Sequence, residues 1–129
     1  MAESYLLDTN AAIAALNGDS AVLKLVDEAE TVYVPSIVLG ELYYGAEKSG
    51  RVEANIQHID EFANRRLVLN CDRETARWYG RIEFALRSKG QPIRQNDTWI
   101  AAIARQHNLT LLTRDAHFNE VDGLSVQAW

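Results

Sequence analysis

The chain is punctuated by short, almost wholly apolar runs, too brief for helices, and longer stretches of helical periodicity separate them. Ser4-Tyr5-Leu6-Leu7, Thr31-Val32-Tyr33-Val34, Leu67-Val68-Leu69, Thr110-Leu111-Leu112-Thr113 and Leu124-Ser125-Val126 read as strands. Helical patterns cover Asn10 to Leu16, Ser20 to about Glu28, Ser36 to Lys48, Val52 to Ala63, and Asp72 to Lys89. A last one is opened by Asn96 or Asp97 and reaches His107. Ser20 and Asp72 stand where N-caps are needed, and Asn17-Gly18, Gly50, and Gly90 with Pro92 stand at helix ends. Apolar strands separated by helices pair in parallel, because each chain return needs a helical crossover. Parallel sheets are covered on both faces, which suits strands without polar alternation. The expectation is one three-layer α/β domain over residues 1–129, with no repeat, low-complexity tract or linker.

Composition narrows the function classes. Hydrophobic residues make up 47% and charged residues 24%, ordinary globular usage that supports a packed core rather than disorder. No run approaches the roughly 18 apolar residues that span a bilayer. Met1-Ala2-Glu3-Ser4 lacks the basic and apolar regions of a secretory signal, and Cys71 is alone, so a cytoplasmic, reducing location is expected. The net charge is −5, but Arg65 to Arg94 carries eight Lys or Arg against three acids, a local balance of +5. A basic surface on an acidic protein can hold a phosphate backbone, and it can equally be a solvated helix face.

Four acids stand apart from the other fourteen of the 18 in the chain. Ligands of open α/β sheets collect at the carboxyl ends of the strands. Asp8 directly follows the first strand and Asp115 lies just beyond the fourth, so adjacent strands would bring them together; strand-end Asp residues also cap the turns that follow. Glu41 shares its helix face with Ile37, Val38, Tyr44 and Gly45, and Asp97 shares its face with Ile100, Ala101 and Ala104. A carboxylate directed at an apolar surface needs a cation or a metal to offset its desolvation. Asp97 also sits where a helix N-terminus favours an anion, or where it could serve as a cap beside Asn96. Oxygen ligands without Cys or His select a hard cation, Mg²⁺ or Mn²⁺, over zinc. Such an ion supplies positive charge and an activated water for phosphodiester hydrolysis.

Leu6-Leu7-Asp8-Thr9-Asn10, Pro35-Ser36-Ile37-Val38-Leu39-Gly40-Glu41-Leu42, Asn96-Asp97-Thr98-Trp99-Ile100-Ala101-Ala102 and Leu112-Thr113-Arg114-Asp115-Ala116-His117-Phe118 together resemble the PIN-domain family, most closely the VapC-type toxins of bacterial toxin–antitoxin pairs. The resemblance runs through essentially all 129 residues in order. It implies a five-stranded parallel sheet between helices and a Mg²⁺- or Mn²⁺-dependent endoribonuclease acting as a toxin. The catalytic and metal-holding acids would be Asp8, Glu41, Asp97 and Asp115, with Thr9, Asn10 and Thr113 as supporting polar residues. It also implies a homodimer, inhibition by a cognate VapB-type antitoxin that reaches into the acidic pocket, and contact with operator DNA only through that antitoxin. Trp99 beside the third acid, and the Gly90–Gln95 loop, depart from the pattern.

Other residues admit two readings. Arg73, Arg77 and Arg81, four apart on one helix, either contact RNA phosphates or cover apolar surface and pair with acids. Arg94 and Arg114 lie nearer the proposed site, and Arg114 either meets RNA or neutralises the acids. His58, His107 and His117 have no mutual metal-ligand spacing, and His117 is expected to pack in its loop. At least three of Tyr43, Tyr44, Trp78 and Tyr79 are expected in the core or an interface rather than against RNA bases. A receiver or dehalogenase-like phosphatase needs a second acid close to Asp8, and Asn10 stands there instead. A non-catalytic RNA-binding module of the same family remains the other alternative.

Overall fold

The computed structural model describes residues 3–129; Met1 and Ala2, read above as part of a segment without a leader, lie outside the described residues. Five strands form one sheet: β1 (Ser4–Leu7), β2 (Thr31–Pro35), β3 (Leu67–Leu69), β4 (Thr110–Leu112) and β5 (Val126–Gln127). Their order across the sheet is β3-β2-β1-β4-β5, and every pairing is parallel. The helices are α1 (Thr9–Leu16), α2 (Ser20–Glu28), α3 (Ser36–Glu47), α4 (Val52–Asn64), α5 (Arg73–Ser88) and α6 (Gln95–His107), with a 3-10 turn over Ala116–Glu120. The α/β class and the five-stranded parallel sheet expected from the sequence are what the chain adopts.

Apolar strands at the centre of the sheet are buried on both faces. Leu6, Leu7, Leu111 and Leu112 have no exposed surface. On one side α6 presses Ile100-Ala101-Ala102-Ile103-Ala104 onto the sheet, all buried, with small alanines permitting close approach. Covered on its outer side by α5, α6 is one of the most apolar-enclosed helices of the molecule. Thr98 Oγ1 donates to Glu83 (3.2 Å), and Gln106 Nε2 donates to Asp72 (2.9 Å), so the two helices run antiparallel. Asn108 ends α6 in the left-handed conformation at φ 54°, and Leu109 N–H reaches back to the Ala104 carbonyl (2.9 Å).

The differences from the sequence reading lie at element ends. Asp19, not Ser20, caps α2, accepting from Ala21 and Val22 N–H at 2.9 and 3.2 Å, because the carboxylate satisfies two orphan donors at once. Helix α1 begins at Thr9, with Asp8 as its cap. Helix α6 begins at Gln95 after Arg94, so neither Asn96 nor Asp97 is its cap and both are left free in the first turn. The last strand is Val126–Gln127 rather than Leu124–Val126, because a turn through Gly123 at φ 75° bonds Leu124 N–H to the Val121 carbonyl (3.3 Å).

Candidate active site

Strand order reverses between β1 and β4: β2 and β3 follow on one side of β1, while β4 and β5 lie on the other. That is the topological switch point, where the carboxyl ends of parallel strands leave a crevice. Leu7 pairs with Leu112, which sets Asp8 beside Thr113 one residue beyond the ladder. Asp8 is 4% exposed. Its Oδ1 accepts from Ala11 N–H (2.8 Å) and its Oδ2 accepts from the buried Thr113 hydroxyl (2.5 Å). Thr113 Oγ1 in turn accepts from Asp115 N–H (3.0 Å), so one hydroxyl ties the first acid to the last. Asp115 Oδ1 accepts from His117 N–H (2.9 Å). Both strand-end acids therefore cap the following turn with Oδ1, and Asp8 uses its other oxygen to hold Thr113.

Glu41 and Asp97 arrive from two helices, α3 and α6, that meet at this edge. The second turn of α3 carries Glu41, whose Oε1 accepts from Asn96 Nδ2 (3.3 Å), a contact across 55 residues of sequence. Asp97, in the first turn of α6, is half-buried. Burial raises the Asp97 carboxyl above its ordinary value; Arg94 opposes that shift, while the charges of Asp115, Glu41 and Asp8 add to it. Asp8 is likewise raised, first by burial and further by Asp115 and Glu41, against the lowering hydrogen bonds from Thr113 and Ala11. The four acids thus lie within one another's field. Among the described residues, no Lys or Arg forms an ion pair with any of them; Asp115 alone has a partner, His117 Nδ1 at 2.9 Å.

The donor set suits a hard divalent cation. It consists of carboxylates and hydroxyls, and Thr9 Oγ1, next to Asp8, is buried without a hydrogen-bond partner. Among the described residues no three acid, His or Cys side chains close on one point as they stand.

A groove of about 600 Å³ opens from this edge between α1, α3 and α4. Glu41, Asn96 and Arg94 stand in its wall with Thr9, Ile13 and Tyr44, whereas Asp8, Asp97 and Asp115 do not line it. Ile13 and Tyr44 are 41% and 67% exposed, so the groove presents apolar surface beside one of the acids.

The remaining candidates are placed differently. Arg73 and Arg77 lie toward the end of α5 where Thr75 bonds Gln106, about nine residues, or roughly 14 Å, along α6 from Asp97, whereas Arg81 stands two residues before Glu83, the partner of Thr98. Arg77 pairs with Glu74 (3.8 Å), and Arg81 lies over the Trp78 ring (4.7 Å), as apolar cover and acid pairing would have it. Arg114 does not neutralise the acids: its guanidinium lies over the Trp129 ring, at 4.5 Å. His117 is largely exposed against Asp115 rather than packed in its loop, because the N-capping Asp115 draws it outward. Tyr43, Trp78 and Tyr79 pack against the core, and Tyr79 stacks on Trp99 at 4.2 Å, which explains the bulky residue in α6. The residue that sequence reasoning passed over is Trp129, whose role depends on a strand pairing no local pattern encodes.

Comparison with known proteins agrees with this architecture. The family model for the PIN domain matches residues 5–124. The chain is 35% identical over 130 residues to ribonuclease VapC2 of Rickettsia felis, covering 97% of each protein. It is 33% identical over 129 residues to the tRNA(fMet)-specific endonuclease VapC of Shigella flexneri, again with 97% of each covered. Among solved structures, the DNA-bound VapBC of Salmonella typhimurium superposes with a TM-score of 0.92 at 30% identity, over 98% of each chain. VapBC2 of Rickettsia felis, bound to a DNA fragment from its promoter, superposes with a TM-score of 0.88 at 34% identity, over 98% of each chain. With its strand order, its crevice of acids and these full-length likenesses, the chain belongs to the PIN-domain family, within its VapC group.

Proposed function

We propose that the chain is a Mg²⁺- or Mn²⁺-dependent endoribonuclease, the toxin of a toxin–antitoxin pair, with residues 1–129 acting as one nuclease domain in the cytoplasm. What supports this reading is that Asp8, Glu41, Asp97 and Asp115, from four separate elements, stand near enough at the switch point for their charges to act on one another, without a pairing Lys or Arg among the described residues. Ribonuclease and endonuclease are the activities named for the VapC relatives, two of which act on tRNA(fMet).

Asp8, Glu41, Asp97 and Asp115 would hold the divalent ion, which supplies charge to offset the phosphodiester's and favours water as the attacking group. Thr113 fixes the rotamer of Asp8, so that carboxylate meets the ion without a reorganisation cost. Thr9 offers a hydroxyl beside it, Asn10 a second polar side chain, and Asn96 orients Glu41. Arg94, exposed at the start of α6, is set to meet an RNA phosphate entering the crevice. Arg73 and Arg77 would touch only RNA that extends well past the cleaved bond, and the Arg81 guanidinium is engaged over the Trp78 ring.

The groove beside Glu41 supports the antitoxin reading. Its apolar wall at Ile13 and Tyr44 fits a folded or extended segment of a VapB-type partner, and a basic side chain from that segment would meet Glu41. The neighbours from Rickettsia felis and Salmonella typhimurium are VapBC complexes with DNA, so operator contact would come through the antitoxin. A homodimer is part of the same reading, and light scattering tests it.

The deciding experiment incubates antitoxin-free protein with initiator transfer RNA and total bacterial RNA in Mn²⁺, in Mg²⁺ and in chelator, with Asp8→Asn alongside. Discrete cuts dependent on metal and lost in the variant are expected, bearing 5′-phosphate and 3′-hydroxyl ends. Ends with 2′,3′-cyclic phosphate would overturn it, since those arise from attack by the RNA's own 2′-hydroxyl.

A further inference from the structure

We propose that Arg114 and Trp129 form a clamp that presents a preset guanidinium fork to the RNA backbone, with Trp129 as a positioning residue; this rests on the ribonuclease reading above. The two residues meet because β5 pairs with β4: Thr113 N–H donates to the Gln127 carbonyl (2.9 Å), which carries the chain on to Trp129 beside Arg114. Along the extended segment after β4, Thr113 and Asp115 turn toward the acids, so Arg114 between them turns the other way. There it is held twice. Its Nε–H donates to the Trp129 main-chain oxygen (2.9 Å), and its Cζ lies 4.5 Å from the indole centroid.

What is left free decides the assignment. Arg114 is exposed and spends only its Nε–H on the Trp129 oxygen, so the four N–H groups of its two terminal nitrogens have no hydrogen-bond partner among the described residues. Stacking uses the face of a guanidinium and leaves its edge open, and that edge matches two phosphate oxygens at once. Trp129 packs one part of its ring against the core, yet its Nε1–H is buried without a partner. A residue kept for core packing alone would be better served by a ring lacking that donor. The indole face is the part in use, and Arg114 is what uses it. Arg114 directly precedes Asp115 in the chain, so a phosphate on this fork lies within a nucleotide or so of the crevice.

The test measures affinity for unfractionated transfer RNA in chelator, by filter binding over a range of KCl concentrations, and cleavage in Mn²⁺. Arg114→Gln should weaken binding about tenfold and make the log–log salt slope shallower by about 0.7, the value of one single-strand phosphate contact. Trp129→Ala should move affinity, slope and KM in the same direction with kcat less affected, and Trp129→Phe should restore them. The Arg114→Gln/Trp129→Ala double variant should bind no more weakly than Arg114→Gln alone. An unchanged slope in Arg114→Gln, in a parent protein that binds and cleaves RNA, would overturn the clamp and leave the nuclease reading standing. If Trp129→Ala only lowers the melting temperature, Trp129 is structural and the positioning role fails. A parent without RNA binding or cleavage would overturn both.

Discussion

Thr113→Val is the sharpest probe of how the site is built. The substitution keeps the shape of a side chain that is 4% exposed and removes a hydroxyl with two partners. One is the carboxylate of Asp8, at 2.5 Å, and the other is Asp115 N–H, at 3.0 Å. Hydrogen bonds to charged groups contribute about 1.5–3 kcal/mol and ordinary ones about 1 kcal/mol, so the loss at neutral pH should be about 2.5–4 kcal/mol. Specific unfolding entropies convert this, for 129 residues, to a fall in melting temperature of about 10–15 °C.

The loss should also depend on pH in a stated direction. The Thr113 bond holds down a carboxyl that burial raises, so the variant's Asp8 titrates higher still than the parent's already raised group. A folded state with a raised carboxyl binds more protons than the unfolded chain, and loses stability as pH climbs from the ordinary value of 3.8 through the raised one. The variant's deficit should therefore be small near pH 3 and widen toward pH 7. Thermal or urea denaturation at the two pH values, with Thr113→Ser as the hydroxyl-retaining control, measures it. A deficit below about 1 kcal/mol at neutral pH, or one equal at both pH values, would refute the idea that this hydroxyl supports an ionised Asp8.

Asp97→Asn removes a charge that three other acids repel, so the metal-free variant should melt no lower than the parent near neutral pH, its relative advantage shrinking as pH falls through the raised value and vanishing below about 3.8. In a thermal-shift assay, Mn²⁺ at a hundredfold excess over its dissociation constant should add about 2.7 kcal/mol, or roughly 10 °C, to the parent and much less to the variant; a large loss of stability in the variant would make Asp97 a structural residue. Gly123→Ala places a Cβ 2.8 Å from the Arg105 guanidinium at a φ of 75°; because the arginine can move, backbone strain should dominate, at about 1–2 kcal/mol by denaturant titration. No change in midpoint would show that the turn before β5 relaxes freely.

Much of this protein is legible one segment at a time. Strands such as Tyr5-Leu6-Leu7 are buried on both faces, so their apolar runs announce a covered parallel sheet without any knowledge of partners. Glu41 and Asp97 are conspicuous for a similar reason: an acid on an apolar helical face conflicts locally with desolvation. Helix ends were less legible because capping is a competition among neighbours, and Asp19 outcompetes Ser20 by accepting two N–H groups.

Tertiary structure alone decided which distant residues share an electrostatic field. Strand order is not a property of any segment, yet placing β4 against β1 brings Asp115 and Thr113 to Asp8 across more than 100 residues of sequence. The same holds for the arginines. Sequence proximity to Asp115 leaves Arg114 free either to meet RNA or to neutralise the acids, whereas strand alternation and the β4–β5 pairing send it to Trp129. Local chemistry selects which side chains cannot lie unpartnered; the packing of the sheet determines who the partner is.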